Sequence, residues 1–437
     1  MRTMDMTKYG KLLLSFFLFP AALCAQDTLN LSRKECEAIF LKENLSLLAG
    51  RLDIPEAEAK VVQARLWPNP ELSIDEINIG ASRKKLAVFG DELQGFNGGK
   101  FGRNQQISLN LEQLIQTAGK RKKLIAAEQA GADKAKQGFE ELLRGLKTEF
   151  RNQLTQLQYL QLNKAIYQDQ LNSIQQLAYA YSRQVELGNI PKGEYVRLKA
   201  LELEIAKDIS ELDQQLSSTQ KELNILMGLP PVNYLVLTSE GYWKEKEQFQ
   251  LQHLKQLVSE ARSLRPDYKA AEFEQIYHQR IYDYERAQRM PDLRFNVGYD
   301  RGGNFMYNFV GVGLTIDLPL FNRNQGNIRS ARILAEKAGL DFKHKELIIE
   351  NEVAQAYRDL TAAIDFAKRI EPGYESTLDE LLASYTRNFA GRHISLLEYL
   401  DFLEAYLENK KIILDAAREL NEKAEELNFA VGKDLIN

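Results

Sequence analysis

The stretch YNFVGVGLTIDL, Tyr307 to Leu318, decides how this chain is read. Val310, Val312, Leu314, Ile316 and Leu318 fall on one side of an extended chain. Phe309, Gly311, Gly313, Thr315 and Asp317 fall on the other. Side chains of a strand alternate with a period of two, so the spacing predicts a strand with one apolar and one polar face. About ten such residues, tilted, cross the hydrocarbon of a bilayer with lipid on one side and water on the other. A soluble sheet resting on a helical core would show the same alternation, so one segment does not separate the two readings.

Three further segments carry the pattern. Leu293, Phe295, Val297 and Tyr299 alternate with Arg294, Asn296, Gly298 and Asp300. Ile107, Leu109 and Leu111 alternate with Ser108, Asn110 and Glu112. Leu72 and Ile74 begin a fourth strand, whose Ile77 and Ile79 come one residue out of phase, as a bulge would cause. The predicted strands span 70–79, 105–114, 293–300 and 307–318. Two matched hairpins favour the membrane reading. Four strands do not close a barrel, since membrane barrels begin at about eight. An open edge in hydrocarbon leaves peptide groups unpaired at several kcal/mol each. Copies of the chain must therefore share one barrel.

Working outward, the same order of elements occurs twice. Ala64-Arg65-Leu66-Trp67-Pro68-Asn69-Pro70 precedes the first hairpin and Ala287-Gln288-Arg289-Met290-Pro291-Asp292 the second. LNLEQLIQTAGKRKK, Leu109 to Lys123, parallels LTIDLPLFNRNQGNIR, Leu314 to Arg329. Each passes from strand through a polar turn into a long, punctuation-free segment. VELGNIPKGEY, Val185 to Tyr195, and FAGRHISLLEY, Phe389 to Tyr399, then turn that segment back. The predicted organisation is a first repeat over 26–227 with its helical hairpin at 118–227, a Pro-containing linker over 228–249, and a second repeat over 250–437 with its hairpin at 325–431.

The hairpin arms carry heptad seams. Leu198, Ile205, Ile209, Leu212, Leu216, Thr219, Leu223 and Leu226 mark one arm; Tyr167, Leu171, Ile174, Ala178, Tyr181 and Val185 mark its partner. A helix of about 65 residues extends roughly 100 Å, far beyond the usual three turns. The fold class expected is mainly α with a small transmembrane β part: two tandem repeats of helix, strand, strand, long helix and helix. In an oligomer they would form a shared β-barrel and a long α-helical barrel. An antiparallel helical spacer without a lumen is the plainer alternative for the helices alone.

The chain has 437 residues, 44% of them hydrophobic and 27% charged, enough for a sizeable core. Arg2, Lys8 and Lys11 precede LLLSFFLFPAAL, Leu12 to Leu23, and then Cys24-Ala25. A basic start, a short apolar centre and a small residue make residues 1–25 a signal peptide, cut after Ala25. Lipidation at Cys24 is the second reading, although Leu23 is larger than a lipobox favours. Loss of the leader removes three cations and one anion and takes the net charge from −4 to −6. Cys36 is then the one thiol left, without a partner for an intramolecular disulfide. No basic block suggests nucleic acid as a partner.

The four His, at 253, 278, 344 and 393, form no ligand motif, and no phosphate-binding loop is present. No cofactor, metal site or catalytic group is therefore assigned, and no enzyme activity is expected. Lys120-Arg121-Lys122-Lys123 is a solvated helix start or a contact to lipid headgroups. Ala81 to Arg103 reads as a long outward loop that could restrict the mouth of the barrel.

The leader, WPNPELSI, QLIQTAGKRKK, PLFNRNQGNIR and the two turns together resemble the TolC-type outer-membrane efflux family, and most closely its cobalt–zinc–cadmium resistance branch. The resemblance implies a homotrimer in the outer membrane, extending into the periplasm of a Gram-negative bacterium. It implies a periplasmic adaptor and an inner-membrane pump as partners, passive export of metal ions or small toxic compounds, and contact with outer-membrane lipid. It places adaptor contacts at Leu187, Gly188, Asn189 and Ile190, and at Gly391, Arg392, His393, Ile394 and Ser395. Candidate charges that would close the tunnel are Glu186, Glu194, Arg387, Arg392, Glu398 and Asp401, each of which reads more readily as a solvated surface charge. The rival readings are a periplasmic adaptor, which would carry one hairpin between compact β domains, and a coiled-coil structural protein without a channel.

Overall fold

The computed structural model describes residues 27–435 apart from 76–78, 83–84, 89–91, 95–99, 104–106, 232, 239–252 and 303–305. The expected leader at 1–25 and both fates of Cys24 lie outside the described residues. Two compact units form: Met1–Leu45 with Glu149–Phe249 and Ala362–Lys423, and Ser46–Thr148 with Gln250–Thr361 and Ala424–Asn437. Each unit draws on both sequence repeats, because the long helices contribute to both.

The second unit holds the main sheet. β2 (Glu71–Asp75), β7 (Ile107–Ile115), β9 (Leu293–Gly302) and β10 (Met306–Ile316) form one antiparallel sheet in the order β10-β9-β7-β2. β2 pairs with β7 and β9 with β10, as expected, and β7–β9 joins the two hairpins. Residues 79–103, of which 81–103 were expected as a loop, contain two small hairpins: β3 (Ile79–Ser82) with β4 (Lys85–Val88), and β5 (Glu92–Gln94) with β6 (Lys100–Arg103). Short strands with Gly and Lys interleaved lack the long alternation that marks the main sheet.

Two hairpin helices start beside this sheet. α4 (Lys120–Glu186) has 67 residues, or about 100 Å of axial rise. α8 (Gln325–Ala367) has 43. Each start is set by left-handed backbone: Ala118 and Gly119 at φ 53° and 69°, and Asn324 at φ 57°. The first turn is held by Asp292, which accepts from the Thr117 backbone N–H at 2.9 Å and pairs with the buried Lys120 Nζ at 2.8 Å. In the second, Asn324 Nδ2 donates to the Glu285 carboxylate at 2.6 Å. Shorter helices precede each hairpin of strands: α1 (Arg33–Glu43), α2 (Leu45–Gly50) and α3 (Asp53–Arg65) before β2, and α6 (Leu254–Leu264) and α7 (Pro266–Ala287) before β9. α3 lays Ala57 and Val61 on Ala132 of α4.

The first unit is a four-helix pack. The returning arm α5 (Lys192–Leu226) buries Leu198, Ile205, Leu212, Leu216, Thr219, Leu223 and Leu226, the seam read from the heptads. Ile174 and Ala178 of α4, Leu198 and Ile205 of α5, and residues of α9 (Tyr374–Ala390) and α10 (Leu396–Val431) share one apolar core. α1 docks on α4 through stacked Phe40 and Phe150 rings, 4.6 Å apart, and through Arg33, which donates to Thr155 Oγ1 at 2.9 Å.

Three features depart from the sequence reading. The outgoing arm of the second hairpin, within the expected 325–431, breaks at Lys368–Gly373, where Gly373 takes φ 80°. α8 closes with tight turns from Arg369 to Phe366 and from Ile370 to Ala367, Pro372 without an N–H keeps it from resuming, and left-handed Gly373 caps the next helix. The expected linker 228–249 contains a strand, β8 (Asn233–Leu237), which pairs in parallel with β1 (Asp27–Leu31). Gln220 and Gln161 hold it against the helices: Gln220 Nε2 donates to the Leu235 carbonyl at 2.6 Å and Gln161 Nε2 to the same oxygen at 2.9 Å. The last departure is a matched pair of latches. Asn44, between α1 and α2, donates to the Leu226 carbonyl at the end of α5 at 2.7 Å. Arg265, between α6 and α7, donates to the Ala430 carbonyl at the end of α10 at 3.1 Å. The device is repeated with different side chains, so residue identity does not reveal it.

Candidate functional site

The sheet of the second unit presents an apolar face in rows. Leu72, Leu111, Val297 and Val312 are register partners, as are Ile74, Leu109, Tyr299 and Val310. Val310, Val312 and Leu314 are 68%, 75% and 60% exposed. Placing such a face in water would forfeit about 25 cal/mol per Å² of apolar surface. The opposite face carries Glu71, Glu112, Asn296 and Gly313 in one row and Ser73, Asn110, Gly298 and Gly311 in the next. There Arg294 bridges Glu112 at 3.4 Å and Asp317 at 3.2 Å. β2 and β10 are the outer strands, so the sheet has two open edges. Among the described residues, no helix is long and apolar enough to cross a membrane.

The two turns of the first unit share one hydrogen-bond pattern. Gly188 N–H donates to the Val185 carbonyl at 3.0 Å and Asn189 N–H to Gln184 at 2.9 Å. Arg392 N–H donates to Phe389 at 2.9 Å and His393 N–H to Asn388 at 2.8 Å. Both are Schellman closures, which need one left-handed residue. Gly188 supplies it at φ 73°, but in the second turn it is Arg392, at φ 56°, while Gly391 stays right-handed at φ −76°. Both tip glycines read from the sequence as residues able to take positive φ at little cost; Gly188 does so, whereas Gly391 sits one position early. A Cβ there would meet the His393 ring at 2.9 Å, so the glycine makes room for the imidazole.

Leu187, Gly188, Asn189, Gly391, Arg392, His393 and Ser395 are exposed, and Ile190 and Ile394 are half-buried at matching positions. The turns are joined from below by aromatic rings. Tyr181 stacks on Phe389 at 5.9 Å and Phe389 on Tyr399 at 4.9 Å. The sequence reading recorded Tyr181 as a seam position and Phe389 and Tyr399 as the bounds of the second turn, and missed the stack. Burial raises the Tyr181 phenol above its ordinary range, and Glu194 adds to the rise against Arg392.

The charges proposed to close a tunnel separate into two kinds. Glu398 is committed to a capping box: its carboxylate accepts from the Ser395 N–H at 2.7 Å and the Ser395 hydroxyl at 2.8 Å. Those bonds hold its carboxyl below the ordinary value. Ser-x-x-Glu was legible as this motif. Glu186, Arg387, Arg392 and Asp401 are exposed and Glu194 is half-buried, and none makes an ion pair within the chain among the described residues. Below the turns, Lys410 is buried with Glu375 at 2.8 Å and Asp379 at 3.1 Å, and Asp379 also accepts from Tyr406 at 2.8 Å. Among the described residues no group of three or more His, Cys, Asp and Glu could hold a metal ion.

The family model described as outer membrane efflux protein matches residues 39–229 and 257–433, both repeats and nearly all of each. The chain belongs to the outer membrane efflux protein family. A curated relative, the cobalt-zinc-cadmium resistance protein CzcC of Cupriavidus metallidurans, is 22% identical over 370 residues, covering 83% of this chain and 80% of that protein. The outer-membrane channel CmeC of Campylobacter jejuni superposes with a TM-score of 0.72 at 15% identity, covering 92% of this chain and 87% of its own. The outer-membrane protein VceC of Vibrio cholerae gives 0.68 at 17% identity, covering 92% and 96%. The chain is an outer-membrane efflux protein, and the family match sets aside the adaptor and scaffold readings.

Proposed function

We propose that this efflux protein is a passive conduit built from three identical chains, joined edge to edge through β2 and β10. Its partners are a periplasmic adaptor and an inner-membrane pump, and the pump supplies the energy. The observation that carries this reading is the four-stranded sheet with an exposed apolar face, a polar reverse face and two open edges. In lipid those edges require partners. Export of metal ions is favoured among the possible cargoes by the likeness to a cobalt-zinc-cadmium resistance protein. The two Schellman turns, with Leu187 70% exposed and Arg392 presented in a left-handed conformation, support a docking role for the tips.

The test is the assembly and conductance of the detergent-extracted protein. Chemical crosslinking resolves three-chain species, and planar bilayers show a steady conductance without nucleotide. A lone chain without conductance overturns the proposal. The double substitution L187E with R392E tests the tips: membrane content is unchanged, while resistance to zinc or cobalt in a strain lacking its own copy falls to that of the empty strain.

A further inference from the structure

We propose that the connections between strands and helices form a belt that binds anionic phospholipid of the inner leaflet. This rests on the reading that the sheet crosses the outer membrane. The register places four connections at one end of that sheet: Ile115, Leu293 and Ile316 form its last row, and β2 starts on the same side. The apolar face does not stop there. Leu318, Leu320 and Phe321 follow β10 and are 71%, 63% and 93% exposed. Trp67, just before β2, is 62% exposed and carries the Arg121 guanidinium 3.9 Å over its ring. An exposed Phe and an indole flanking a lipid-facing band belong at headgroup depth.

Cations outnumber anions at this level. Asp292 pairs with Lys120 at 2.8 Å, Arg294 is shared between Glu112 at 3.4 Å and Asp317 at 3.2 Å, and Glu71 and Glu285 are the carboxylates outside an ion pair among the described residues. Lys122, Arg289 and Arg323 are exposed and make no ion pair within the chain among the described residues. Unneutralised cations beside exposed aromatic side chains fit a phosphodiester whose headgroup carries no compensating ammonium. Guanidinium offers parallel donors to its oxygens. Continuity with the lipid-facing rows favours lipid over a protein partner. The connections lead directly into the helices of the periplasmic part, which selects the inner leaflet.

The full-length protein is reconstituted in vesicles of phosphatidylcholine alone, or with phosphatidylglycerol, or with lipid A. Insertion is read by flotation after alkaline carbonate, thermal midpoint by tryptophan emission, and retained lipid by mass spectrometry. Wild type inserts in all three, holds phosphatidylglycerol at least about threefold above its bulk share and unfolds at higher temperature with it. The variant R289E/R323E inserts equally in phosphatidylcholine but loses both effects, and R289K/R323K keeps them. Equal retention of both phospholipids by wild type, a charge-reversed variant that still prefers phosphatidylglycerol, or preference for lipid A alone overturns the belt. Failure of wild type to insert in any vesicle instead overturns the membrane reading beneath it.

Discussion

Gly228 and Gly188 both take positive φ, yet their surroundings differ. A Cβ at Gly228 would stand 2.7 Å from the Glu43 carbonyl, whereas Gly188 has nothing within 4 Å. Gly188→Ala therefore costs only the left-handed penalty, about 1–2 kcal/mol. Gly228→Ala adds a clash with backbone and lowers the thermal midpoint clearly further, measurable side by side in detergent. Arg392 already accepts that left-handed cost, so Arg392→Gly is expected to raise the midpoint slightly, even though it removes a tip cation. Cys36 shows the opposite kind of constraint. It is fully buried, and burial followed by the nearby Glu35 pushes its thiol up to about 12. At pH 7.5 maleimide is expected to label it only after denaturation. A native chain that reacts at the rate of free cysteine would contradict the packing of α1 on α4.

Elements explain what could be read in advance and what could not. The four main strands and both hairpins were legible because alternation and heptads repeat over many residues. The pairing of β1 with β8 was not, because NYLVL is a short apolar run without alternation and its partner lies two hundred residues away in the chain. Glu371-Pro372-Gly373 carried the break signal, a residue without an N–H beside a glycine, and the sequence reading passed over it. The tips were located correctly as turns, yet the glycine was mistaken for the left-handed residue, because φ follows from hydrogen-bond closure and not from composition. Ser395→Ala tests the capping box and should destabilise the start of α10 by about 1 kcal/mol. Because Glu398 is held below its ordinary value, the cap's contribution is present above the unfolded pKa and is lost as pH falls through the folded one.

The junction of α6 and α7 adds a second acid-sensitive contact. Burial alone would raise the Asp267 carboxyl, but Arg265 at 2.7 Å, with Arg144 and Lys345, outweighs it and lowers it to about 2 from 3.8. A depressed carboxylate stabilises the fold fully above pH 3.8 and loses that contribution as pH falls toward 2. The amount is about 2 kcal/mol. Asp267→Asn should lower stability at neutral pH and flatten the acid limb between pH 4 and 2, followed by thermal midpoint against pH. An unchanged acid limb would show that the arginines find other partners.

At the scale of the whole molecule, the proposed conduit depends on copies meeting. Replacing outward β10 residues with charge, as in Val312→Lys, should cost about 2–4 kcal/mol if the position lies near mid-membrane and abolish insertion while leaving secreted protein detectable. Substitution on the reverse face, as in Ser73→Lys, should leave membrane content unchanged and alter conductance. That contrast, read by fractionation and single-channel recording, checks which face meets lipid.

The open edges of β2 and β10 have a further consequence for how the protein reaches its destination. A solitary copy that entered hydrocarbon would carry rows of peptide dipoles with no acceptor, so embedding cannot precede association. The two become a single kinetic event. The initial rate at which carbonate-resistant material accumulates should climb more steeply than linearly with the supply of secreted chains, and below a threshold supply the unassembled pool should go to periplasmic proteases.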